Sequence, residues 1–178
     1  MSIMNTYTGK KFDPLQMKPE DVDLVDIAHA LSLLCRGGGH IDRFYTVALH
    51  SINCANEAKA RGWERKLILA CLLHDASEAY IADIIRPVKP YLTNYLEIED
   101  QIMSVIWQHF QLELTPEEHK KWKQIDDEIL DSELKEMFSG EAERIPVPLR
   151  STPDFSERPH GEVEEEFIRI AAVSYTHL

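Results

Sequence analysis

Apolar residues recur three and four positions apart along most of the chain, the spacing of helices with one buried face. In residues 19–36 the positions Val22, Val25, Ile27, Ala28, Leu31 and Leu34 fall largely along one side, behind a proline and acids suited to a helix start. Three glycines, 37–39, break that helix. The pattern resumes near Ile41 or Asp42, runs to about Ala60 and stops near Gly62, and a third helix is expected from about Glu64 to roughly Tyr80. Two prolines make residues 83–90 a loop or a bend. Residues 91–112 and 115–138 read as two further helices, the second opening on a Thr-Pro-Glu-Glu start signal. A proline-rich connection, 144–161, leads to a final short helix over 162–173. No convincing hairpin signal is present, although residues 145–149 could be extended. The pattern predicts an all-α fold.

The whole chain, 1–178, is expected to form a single domain with its core over about 19–138, since 178 residues suffice to bury a substantial interior. The longest apolar run, 67–73, is far too short to cross a bilayer, and residues 1–14 lack the apolar core of a signal peptide. A soluble, cytoplasmic protein is expected. Residues 174–178 carry little helix-stop logic and resemble a translated adapter sequence, a tail of non-native origin, so no role is assigned to them.

Charge and cysteine content narrow the function classes. A formal net charge of −12 opposes non-specific attraction to nucleic acid polymers or anionic membranes. Any phosphate-bearing substrate would need local positive charge from metal ions or placed arginines and lysines. Cys35, Cys54 and Cys71 are odd in number and lack CxxC spacing, which argues against a disulfide framework and a thiolate zinc site and makes each a small core residue.

The apolar run 67–73 ends on His74 and Asp75, with Glu78 three positions further on. On a helix these three converge within one turn, and burying them is costly unless something pairs with them. His50 lies inside one amphipathic helix, and Asp126 and Asp127 lie inside another. Imidazole and carboxylate together suit a borderline divalent ion such as zinc, manganese, cobalt or iron better than calcium. A helix turns about 100° per residue, so only one of Asp126 and Asp127 can point at such an ion.

The order of His50 in "ALHS", His74-Asp75 in "LLHDASE" and Asp126 in "KQIDDE" resembles the HD-domain metal-dependent phosphohydrolases, with the closer likeness to bacterial 5'-deoxynucleotidases and phage-type HD phosphohydrolases. The likeness spans roughly residues 28–138, and "HDASEAYIADIIRPVK" extends it beyond the dipeptide. It implies a compact HD-domain helical bundle holding one divalent ion through His50, His74, Asp75 and Asp126. It also implies Glu78 as the acid/base residue orienting the attacking water and Asp83 close to the leaving group or sugar. Arg36 matches the family arginine that holds substrate phosphate, and guanidinium geometry suits a phosphate. Gly37 stands where the deoxynucleotidases have a tryptophan against the sugar, which puts strict 2'-deoxy selectivity in question. Residues 37–39 could offer amides to an anion or serve as a plain linker, and Pro87 and Lys89 either border the nucleotide or form a solvated bend.

The activity implied is hydrolysis of (deoxy)nucleoside monophosphates, or of a deoxynucleoside triphosphate to release triphosphate. The alternatives are a hydrolase of a signalling nucleotide, cyclic or of the guanosine tetraphosphate type, and a non-catalytic helical binding module. A homodimer or higher homo-oligomer is expected from helical relatives. Arg43 and Arg86 are weaker candidates; His29, His40, His109, His119, His160 and His177 lack motif support, with His40 notable only for its place beside the glycines. Trp107, Phe110 and Trp122 read as core or dimer packing.

Overall fold

The computed structural model of the protein describes residues 3–175. His177 and the rest of 176–178 lie outside the described residues, whereas Ser174 and Tyr175 of the suspected tail close the last helix. The fold is all-α: α1 (Leu24–Leu33), α2 (Val47–Ala60), α3 (Arg65–Leu73), the single turn α4 (Glu78–Ile81), α5 (Thr93–His109), α6 (Pro116–Met137) and α7 (His160–Tyr175). Among the described residues no helix is long and apolar enough to cross a membrane.

Three helix boundaries depart most from the expectation, each because local hydrogen bonds override the apolar pattern. The first helix starts at Leu24, where the Asp23 side chain accepts from the Val25 amide, and Val25 is exposed. The second starts at Val47 rather than near Ile41: Thr46 caps it by accepting from the Leu49 amide, and the preceding residues bridge back to 34–36. The third stops at Leu73 instead of running to Tyr80. There the His74 ring takes the Cys71 carbonyl at 2.7 Å, the acceptor the next helical amide would use, and the chain tightens into i→i+3 turns before α4. A two-residue hairpin, β1 (Met4–Asn5) with β2 (Lys11–Phe12), is also present where none was expected, because strands this short show no periodicity. Asp26 of α1, buried, holds the hairpin by accepting from the Thr8 amide (2.6 Å) and hydroxyl (2.9 Å).

The central helix α2 is buried on nearly every side, packed by α1, α3, α6 and α7. Ile27, Leu31, Leu49, Ile52, Leu69, Leu72, Leu73 and Phe167 are fully enclosed in the main core. Cys54, Ala58, Cys71, Ile125 and Ile129 form a second apolar cluster between α2, α3 and α6. As expected, α6 opens with a capping box between Thr115 and Glu118.

The 144–161 connection is fastened to α2 by buried polar groups. Asn53 donates to the Asp154 carbonyl and accepts from its amide, while Glu57 accepts from the Ser151 amide (2.7 Å) and hydroxyl (2.6 Å), the Arg150 amide and Arg61. Burial alone would raise the Glu57 pKa, but the bonds from Ser151 and the Arg150 amide hold it down at about 2. With the folded value depressed below the ordinary 4.5, this carboxylate stabilises the fold fully above that pH, and the contribution disappears as pH falls through about 2. Glu57→Gln is therefore expected to lower stability by about 2 kcal/mol at pH 7 in urea unfolding, with a smaller difference at pH 3. A difference that does not change with pH would contradict the assignment.

Candidate metal centre

His50 comes from the first turn of α2, His74 from the end of α3, Asp75 from the turn that follows and Asp126 from the third turn of α6. His74 and Asp75 are neighbours at the end of α3, and both side chains reach the same point from there. His50 Nε2 lies 3.3 Å from His74 Nε2 and 3.2 Å from Asp126 Oδ1, and His74 Nε2 lies 3.2 Å from Asp75 Oδ2. His50 to Asp75 and His74 to Asp126 are each 3.8 Å apart. Four donor atoms from three parts of the chain thus surround one point. Two ligands at about 2.0–2.1 Å around a tetrahedral ion lie about 3.4 Å apart, close to the spacings here.

The outer ring nitrogens are both occupied. His74 Nδ1 meets the Cys71 carbonyl, which can only accept, so the Nδ1 carries the hydrogen. His50 Nδ1 donates to Glu133 Oε1 at 2.6 Å. Each imidazole therefore turns Nε2 inward as the atom that gains or loses a cation, as in carboxylate-histidine-metal triads. The buried Glu133 also accepts from the Tyr45 hydroxyl at 2.9 Å. A buried group of His50, Cys54 and His74, whose ligand atoms all lie within 4.8 Å of one another, could hold a metal ion.

The electrostatics favour a cation at this point. Burial and the Arg36 charge oppose protonation of His50, but Glu133 and the hydrogen bond to Asp126 outweigh them and its pKa is raised. Burial likewise opposes protonation of His74, yet Asp75 and Asp126 push its pKa well above the usual range. Burial would raise Asp126 and Asp75, but the facing histidines hold both well below ordinary carboxylates. The field that draws a proton onto each Nε2 is the same field that would draw a divalent ion in its place.

Glu78 opens α4 on the floor of a cavity of about 560 Å³ that also exposes His74, Asp75, Asp126, Asp83 and Lys89. Burial, then the charges of Asp75 and Asp83, raise its pKa well above the usual range, and its buried Oε2 has no hydrogen-bond partner among the described residues. Asp83 lies at the junction of this cavity with a second of about 510 Å³, and its pKa is raised chiefly by burial. Arg36 projects between the two, with Nη1 3.3 Å from Asp75 Oδ2 and Nη2 3.3 Å from His50 Nε2 and 3.4 Å from Glu133. Lys89 reaches the first cavity but is paired with Glu99 at 2.6 Å. Pro87 is not in the first cavity; it lines the second with His40 and Phe138. Gly37 adopts φ +60°, and a Cβ there would come within 2.9 Å of Phe138, so both backbone and packing select glycine.

Asp127, the rival of Asp126, is exposed and turned away. Arg86 bridges the pair, meeting Asp126 Oδ2 at 2.5 Å and Asp127 Oδ1 at 2.6 Å, which leaves Asp126 Oδ1 for the histidines. Sequence reasoning passed over Glu133 and ranked Arg86 low. Cys54 and Trp122 pack as expected, in and against the second apolar cluster, and the Trp122 ring also lies 5.5 Å from that of His74 and lines the first cavity with Trp107. Glu133 had a readable signal: it follows Asp126 by seven residues, two turns along the same face of α6. Glu133→Gln is expected to weaken metal binding about 10–100-fold, measured by chelator competition. Unchanged affinity would show that the 2.6 Å contact does not orient the ring.

No family model matches the chain. It is 36% identical over 112 residues to the uncharacterized protein YfdR of Escherichia coli, covering 63% of this chain and 60% of that protein. A second similarity is to an uncharacterized protein of Rhodobacter capsulatus, 36% identical over 111 residues, 59% of this chain and 56% of the relative. The chain thus spans somewhat more than half the length of these curated relatives.

Proposed function

We propose that the protein is a divalent-metal-dependent phosphohydrolase of the HD type acting on nucleotides, either (deoxy)nucleoside monophosphates or a deoxynucleoside triphosphate. The observation that carries this reading is the meeting of His50 Nε2, His74 Nε2, Asp75 Oδ2 and Asp126 Oδ1 at one point, with both Nδ1 atoms already bonded. Nitrogen and carboxylate oxygen donors fit manganese, cobalt, zinc or iron(II). Such an ion, held by these four residues, would lower the pKa of a water and neutralise a phosphoryl oxygen.

The chain's own residues supply the rest. Glu78, buried near Asp75 and with Oε2 unpartnered among the described residues, would hold a water and accept its proton. A carboxyl whose pKa is raised is a better proton acceptor than an ordinary glutamate, which suits that role. Arg36 offers a guanidinium at the cavity wall beside Asp75, where it can bond phosphate oxygens. Asp83, which lines the same cavity, would approach the leaving group or sugar. Neither a nucleophilic serine nor a cysteine is required.

The test is incubation with dAMP, AMP and dATP in the presence of Mn²⁺ or Co²⁺, with phosphate and triphosphate quantified separately. Metal-dependent release from at least one substrate, abolished by chelator, is expected. Release from none of a wide nucleotide panel would overturn the proposal.

A further inference from the structure

We propose that Cys54 supplies a sulfur ligand to the same centre, which would make it select zinc, cobalt or iron(II) over manganese or magnesium. This rests on the metal-binding reading above and adds a donor that the nitrogen and oxygen set lacks. Cys54 follows His50 by one turn of α2 and is 1% exposed. Its Sγ lies 3.6 Å from His50 Nε2 and within 4.8 Å of a ring nitrogen of His74. Nitrogen at about 2.1 Å and sulfur at about 2.3 Å from one ion lie about 3.6 Å apart at a bond angle near 110°, so Cys54 would join His50, His74, Asp75 and Asp126 as a fifth donor. The sulfur therefore stands where a ligand would stand relative to His50.

The alternative is a thiol that donates its S–H to His50 Nε2, for which 3.6 Å is an ordinary spacing; that reading does not account for the shared focus with His74. Cys71 shares the apolar cluster with Cys54, but it meets His74 through its backbone carbonyl. Coordination by Cys54 exchanges the thiol proton for a metal–sulfur bond and releases that proton to solvent; no oxidant or reductant is involved. Thiolate is a soft donor and raises affinity for zinc and cobalt relative to manganese and magnesium.

The full chain loaded with Co²⁺ tests this by absorption spectroscopy. A near-ultraviolet thiolate-to-cobalt charge-transfer band is expected beside the visible d–d bands, absent in Cys54→Ser and retained in Cys71→Ser. Cys54→Ser is also expected to lower the ratio of Zn²⁺ to Mn²⁺ affinity about tenfold or more in chelator competition. Visible d–d bands without the charge-transfer band in the unaltered protein would overturn the sulfur ligand and leave the metal centre standing, and no Co²⁺ uptake at all would overturn both. Should Cys54→Ser fail to fold, the presence or absence of the band in the unaltered protein and in Cys71→Ser still decides the matter.

Discussion

Glu78→Ala is expected to reduce nucleotide hydrolysis by about 10²–10⁴-fold while leaving bound metal in place. The expectation follows from the position of Glu78 at the start of α4, one turn beyond Asp75, where it lines the cavity without joining the close-set donors. A buried carboxyl with an oxygen that meets no partner is costly to keep, and the fold keeps it next to two other acids that raise its pKa further. Removing it relieves that cost, so thermal stability should hold or rise while turnover falls. Glu78→Gln separates the proton-accepting role from simple occupancy, since the amide preserves shape and cannot take the proton. The check pairs kcat with metal content on the same samples. Metal loss equal to that of Asp75→Asn would assign Glu78 to the coordination sphere instead.

The second large effect concerns adjacent acids. Asp126→Asn is expected to weaken metal binding by more than about 100-fold and to abolish turnover with it, whereas Asp127→Asn should leave both nearly unchanged. The reason is rotational: consecutive residues of α6 differ by about 100°, which turns Asp126 toward His50 and His74 and Asp127 out to solvent. Arg86 touches both, but through the Asp126 oxygen that the histidines do not use. Metal content of the two variants, with turnover measured alongside, discriminates them. Comparable losses would mean that the Arg86 bridge, and not direct ligation, governs the site.

The all-α class and most helices are legible in the apolar spacing, and the Thr115 cap of α6 is legible to the residue. What spacing could not show lies where a side chain competes for a backbone group. The His74 ring captures the Cys71 carbonyl and ends α3 eight residues after it begins, and the Thr46 hydroxyl delays α2 to Val47. The first of these departures lies at the candidate site itself, since the contact that ends α3 also fixes the ring of His74. His50, His74, Asp75 and Asp126 were nameable from motif order, whereas Glu133 and Arg86 act through the ligands and carry no motif. The −12 net charge argued against non-specific binding to polyanions, yet it says nothing of the local placement of Arg36, Arg86 and Lys89 around one acidic focus. Pro87 lines the second cavity, whereas its neighbour in sequence, Arg86, contacts Asp126.

The most direct measurement is the metal content of the purified protein after reconstitution with zinc, manganese, cobalt or iron(II) and removal of excess ion. About one equivalent per chain is predicted for the unaltered protein, with loss in His50→Ala and His74→Ala variants that remain folded. Failure of every one of these ions to remain bound, or equal retention in both histidine variants, would contradict a centre built on His50, His74, Asp75 and Asp126.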